Sequence, residues 1–147
     1  MNEVNTATRS FVMEREVPHP PEKIWRALTQ GVLIEEWLMK NDFQPIVGHR
    51  FSLRGTPQPH WNGVVEGEVL EADPNKRLSY TWNASYAKGA AELRTVVTWT
   101  LTVTKGGTRV RMEQSGFRPE DENGYRGASH GWQQIIGNLE RVLDKLS

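Results

Sequence analysis

Residues 97–104 alternate without a break: Val97, Trp99, Leu101 and Val103 share one parity, and Thr98, Thr100, Thr102 and Thr104 share the other. Successive side chains of a strand point to opposite faces, so this segment reads as a strand with one greasy and one wet side. Lys105-Gly106-Gly107 follows, and residues 108–117 resume the alternation with Val110, Met112 and Gln114 against Arg109, Arg111 and Glu113. Two such runs joined by a glycine-bearing triplet predict a hairpin with positive φ at a glycine. A slip of one residue would turn every side chain over, so burial of the greasy face sets the register. Leu78, Tyr80 and Trp82 against Ser79 and Thr81 add a third strand of the same kind.

A sheet with this apolar face needs a cover, and the C-terminal end supplies one. Over residues 122–146, Ala128, Trp132, Ile135, Leu139, Val142 and Leu146 recur at spacings of four and three, the stripe of a long amphipathic helix. That stripe buries itself by lying across the sheet. Ahead of the meander, residues 10–17 form a strand with Phe11, Met13 and Val17 on one side, interrupted by Arg15 at inward parity. Pro20-Pro21 then opens a helix carrying Ile24, Trp25 and Leu28, and Gly31 separates it from a short helix over 32–39 that turns Leu33, Trp37 and Leu38 inward. Strands are expected at Arg50–Arg54, 63–72, 77–83, Leu93–Thr104 and 108–117, with a turn at Asp73-Pro74-Asn75-Lys76. The order strand, helix, helix, strands, long helix is an α+β sheet wrapped about one helix.

At 147 residues the chain is long enough for one domain with a core and one modest cavity. Eighteen basic residues balance eighteen acidic ones with no run of like charge, which leaves no electrostatic footprint for nucleic acid. The absence of cysteine excludes disulfides, thiolate metal sites and thiol nucleophiles. Neither an apolar leader nor a membrane span is readable, and a cytoplasmic location is expected. Residues 1–9 are polar and expected to be poorly ordered.

Three stretches in this order carry a family resemblance: the strand followed by Pro20-Pro21-Glu22-Lys23-Ile24-Trp25-Arg26-Ala27-Leu28-Thr29, the run from Gly67 to Trp82, and His130-Gly131-Trp132 within the last helix. With them the chain resembles the SRPBCC, or START-like, superfamily, in the branch similar to the C-terminal domain of the heat-shock-protein ATPase activator. The resemblance implies a helix-grip fold, a seven-stranded antiparallel sheet gripping the C-terminal helix with a ligand cavity between them. Six strands are legible, and a short seventh near residues 43–46 would complete the set, with Pro45 against it. The resemblance further implies a small apolar partner (lipid, sterol or polyketide-like), a co-chaperone-like protein partner in a stress response, or a cavity enzyme of cyclase or hydrolase type. Fold alone does not choose among these.

Trp82, Trp99 and Trp132 fall at inward positions, where they either form plain core or line a cavity and stack on a flat ligand. Trp82, Trp99, Met112 and Ile135 are the expected apolar contacts of a ligand. Gln114 and Arg15 each need a buried partner, which is a bound water, a ligand polar group or each other. His130 either bonds locally or faces the ligand, and Gly131 beside it lets a ligand or the sheet come close. Trp61 and Tyr86, in loops predicted over 55–62 and 84–91, are candidate lid residues. The four histidines, His19, His49, His60 and His130, show no metal-ligand spacing, and neither a Gly-x-Ser-x-Gly elbow nor a phosphate loop occurs. The reading is a non-catalytic binder without metal or cofactor, monomer or homodimer.

Overall fold

Alternating apolar residues close into one antiparallel sheet of seven strands among the residues that the computed structural model describes, 8–59, 61–86 and 92–146. In chain order the elements are β1 (Arg9–Val17), α1 (Pro21–Thr29), α2 (Gly31–Trp37), β2 (Lys40–Asn41), β3 (Arg50–Arg54), β4 (Trp61–Asp73), β5 (Arg77–Tyr86), β6 (Leu93–Thr104), β7 (Gly107–Phe117) and α3 (Glu122–Lys145). The strand order is β1-β7-β6-β5-β4-β3-β2, so only β1 crosses over to pair outside its hairpin neighbours. The fold is thus α+β, a curved sheet holding one long helix, with the two short helices after the first strand. No helix of the described residues is long and apolar enough to cross a membrane.

Parity sets the core. Val97, Trp99 and Leu101 on β6 stand opposite Gln114, Met112 and Val110 on β7, and all six are buried. Val103, expected inward with them, is 71% exposed. Its strand runs on past the last β5 pair, Arg77↔Thr100, so Val103 is flanked on one side only, by Thr108 of β7. Gly107 faces the Pro18 bend, where an added Cβ would lie 2.9 Å from the His19 backbone nitrogen, so the hairpin needs glycine for close approach. In the 73–76 turn Asn75 takes the left-handed conformation at φ 68° while the Lys76 amide donates to the Asp73 carbonyl.

Two expectations need correction. The seventh strand lies at Lys40–Asn41, not at 43–46: Asn41 pairs with Leu53, and Phe43 is instead a core residue stacked edge-on against Phe51 and Tyr80. The buried stripe of α3 is Trp132, Ile136, Leu139, Val142 and Leu143, a phase that leaves Ile135, Ala128 and Leu146 only partly covered. Arg9 begins β1. It pairs with Phe117, sits 3.7 Å over the Tyr125 ring and forms an ion pair with Glu122, which ties β1 to the start of α3. Residues 1–7 lie outside those described.

The entry into α3 is held by charge. Arg118 donates from its guanidinium to both Asp121 carboxylate oxygens at 2.9 Å, and its backbone N–H donates to the same group at 2.8 Å. These bonds to the charged form hold the Asp121 carboxyl below its ordinary range.

Candidate ligand-binding site

The two halves of α3 meet the sheet differently. From Trp132 onward its inward residues are fully buried, whereas no residue of the segment 122–131 is. The first half has glycine or alanine at 124, 127, 128 and 131, too small to fill the gap to the strands. The space beneath is a cavity of about 750 Å³, open on one side. Its sheet wall is Val65, Trp82, Ala84, Leu93 and Gln114 from β4 to β7, and its helix wall runs from Gly127 to Ile135. Met39, Gln58 and Trp61 close the end nearest α2 and the β3–β4 connection. Among the described lining residues there is no Lys, Arg, Asp or Glu, and His130 is the one titratable group.

One polar chain crosses this apolar wall. The indole N–H of Trp132 donates to Gln114 Oε1 at 2.8 Å, Gln114 Nε2 donates to Thr95 Oγ1 at 2.9 Å, and that hydroxyl donates to the Trp82 carbonyl at 2.8 Å. Gln114 is 1% exposed, so the network pins it between sheet and helix. Those bonds use one amide hydrogen and one lone pair. A second hydrogen and a second lone pair remain on a side chain that lines the cavity. Trp82 and Trp132 lean together with ring centroids 5.4 Å apart and planes 51° tilted, which gives the floor two aromatic surfaces.

Of the residues singled out in the sequence, the cavity brings together Trp82, Gln114, His130 and Ile135. Trp99 and Met112 are not among them. Trp99 packs edge-on against both Trp37 and Trp132 and donates to the Tyr80 hydroxyl at 3.0 Å, and Met112 is fully buried beside it in register. Both are core, because they sit where the buried half of α3 presses on the sheet. Burial also raises the Tyr80 phenol far above its ordinary range, so it stays neutral as the acceptor for Trp99. Arg15 does not pair with Gln114; its guanidinium donates to the Glu14 carbonyl at the exposed edge.

His130 is exposed at the cavity mouth and has no hydrogen-bond partner among the described residues. Trp61 lies at the start of β4 rather than in a loop, lines the cavity and donates to the Val64 carbonyl at 3.1 Å. Tyr86 ends β5, paired in register with Trp61, while its side chain, His60 and residues 87–91 are outside the described set. Thr95 was missed in the sequence, although a threonine sharing the parity of Val97 and Trp99 was the available signal. Gly127 was missed too, since a glycine in a helix announces nothing until the space beside it is seen. Among the described residues no three His, Asp or Glu groups converge as metal ligands.

Residues 18–144 match the family model described as Activator of Hsp90 ATPase homolog 1-like protein. No protein with a curated function matches the chain. Protein MLL2253 from Mesorhizobium loti has 56% identity over 95% of this chain and 99% of its own, with a TM-score of 0.86. CalU16 from Micromonospora echinospora is similar at 20% identity over 94% of this chain and 78% of its own, TM-score 0.73. DynU16, from the dynemicin biosynthetic locus, has 22% identity over 92% of this chain and 47% of its own, TM-score 0.72. The last two likenesses concern the fold.

Proposed function

The chain belongs to the Activator of Hsp90 ATPase homolog 1-like family, and from that membership and its cavity we propose that it binds a small apolar molecule between the sheet and α3 without transforming it. The observation that carries this reading is the 750 Å³ space walled by Trp61, Trp82, Trp132 and aliphatic side chains, with Gln58, Gln114, His130 and Gln134 between them, and free of carboxylates, lysine and arginine among its described residues. Such a wall favours a lipid-, sterol- or polyketide-like molecule, with Gln114 offering its remaining hydrogen and lone pair to one ligand polar group. A general acid or base needs a positioned partner. His130 is exposed and unpartnered among the described residues, which favours binding over turnover.

The test is a thermal-shift and native mass-spectrometry screen of fatty acids, sterols, flavonoids and polyketides. A ligand present at a hundredfold its Kd stabilises the folded state by about 2.7 kcal/mol, several degrees in Tm for a chain of this length. It should also quench tryptophan emission, since three of the six tryptophans line the cavity. A screen with neither stabilisation nor quenching defeats the reading. The family description favours a second reading, docking to a protein partner through the outer sheet face. There Arg111, ion-paired to Glu14 and Glu113, is the residue whose charge reversal would abolish docking and leave cavity binding intact.

A further inference from the structure

We infer that Gly127 and Gly131 determine what the cavity accepts, by presenting bare helix backbone on which one flat, rigid face of an apolar ligand lies. The inference rests on the ligand-binding reading above. Glycine is the least favourable residue other than proline in a helix interior, yet two stand one turn apart on α3 and both line the cavity. The usual structural reasons for a helical glycine are missing at both. Neither has a positive φ, and a Cβ built on either meets no atom of the described residues within 4 Å. Of the two occupants that Gly131 admits on sequence grounds, the sheet or a ligand, the sheet is not there.

Other glycines of the chain show the contrast. At Gly67 an added Cβ would run into the Thr81 carbonyl and Phe51 ring, and at Gly63 it would lie 2.8 Å from the Gly55 carbonyl oxygen. Those positions are glycine because protein fills the space. At Gly127 and Gly131 the space is open, and both residues line the cavity. Gln114 lines the same cavity, a buried amide whose two bonds leave one hydrogen and one lone pair. A helix face stripped of side chains is a smooth, shallow ridge. A planar ring system can seat on it in full, whereas a flexible acyl chain gains little from it and loses more entropy on ordering. The ligand class selected is therefore a fused-ring molecule with a polar substituent at the end that reaches Gln114.

The experiment uses the full chain and N-phenyl-1-naphthylamine, a neutral flat fluorophore, in equilibrium titrations. The variants are Gly127→Leu/Gly131→Leu together, and single alanine changes at 127, 131 and 137. Gly137 is on the same helix, where an added Cβ meets only the Arg141 guanidinium at 3.9 Å, and it does not line the cavity. Every alanine variant should melt about 2–4 °C higher, because each removes a glycine from a helix. Dye affinity should fall more than tenfold in the leucine pair and about threefold with alanine at 127 or 131, and stay unchanged with alanine at 137. If the leucine pair melts below the wild type, the alanine variants alone decide the outcome. Wild-type affinity in a leucine pair that melts as high as the wild type, or in the 127 and 131 alanine variants, overturns the inference while leaving the cavity reading standing. A wild-type protein that does not take up the dye overturns both.

Discussion

Gln114 joins fold and site in one side chain. It is the acceptor for the Trp132 indole and the donor to Thr95, so it fixes the point on α3 where the buried half gives way to the open half. Leucine has nearly its shape and none of its bonds. Gln114→Leu leaves the Trp132 N–H buried without an acceptor, a cost of about 1–3 kcal/mol, or roughly 3–10 °C in Tm. Trp132→Phe removes the orphaned donor itself. The double variant should accordingly be more stable than the sum of the two singles by about 1 kcal/mol in a chemical-denaturation cycle. Strict additivity would mean that the two side chains are not coupled through this bond.

Among the elements, β4 shows how the sheet acquires its bend. Its pairing with β5 is irregular between Trp61 and Val65 and again between Val69 and Glu71, and the Glu68 amide between them donates to the Thr81 hydroxyl at 2.8 Å. Gly67 sits at that point, pressed on both sides by Phe51 and Thr81. Gly67→Ala should cost about 3 kcal/mol because backbone must move to admit a methyl group, whereas Gly106→Ala, whose Cβ meets open space, should be within about 0.5 kcal/mol of the wild type. Urea denaturation of the pair distinguishes a required bend from an incidental glycine: equal stabilities would refute the close approach.

The same elements show what sequence can carry. A period of two tolerates no drift, so the buried faces of β6 and β7 were legible from parity down to Trp99, Met112 and Gln114, but parity did not show that β6 outruns β5 and leaves Val103 exposed. A helical stripe read as alternating fours and threes can rotate by a residue, which is how Ile135 and Leu146 stood in for Ile136 and Leu143. A two-residue strand such as β2 has no period at all. The site was half legible for a related reason: parity says which residues face inward but not where the covering helix stands off. Trp82 and Trp99 are equivalent in sequence, and only the position of α3 makes one a cavity wall and the other core.

For the molecule as a whole, charge and cavity are kept apart. Basic and acidic residues are equal in number, and much of the outer surface charge is paired within the chain, as in Arg77 with Glu71, Arg94 with Glu92 and Arg111 with Glu14 and Glu113. Such exposed pairs add little stability. The described cavity lining carries no Lys, Arg, Asp or Glu. Apolar burial is insensitive to ionic screening, whereas association through exposed charges weakens as the Debye length shrinks from about 14 Å at 0.05 M to about 4 Å at 0.5 M salt. The affinity for a neutral fused-ring ligand should therefore stay within about twofold between 50 and 500 mM sodium chloride at pH 8, measured by fluorescence titration. A fall of tenfold or more over that range would place the ligand on the charged outer face and move the function from the cavity to the surface of the sheet.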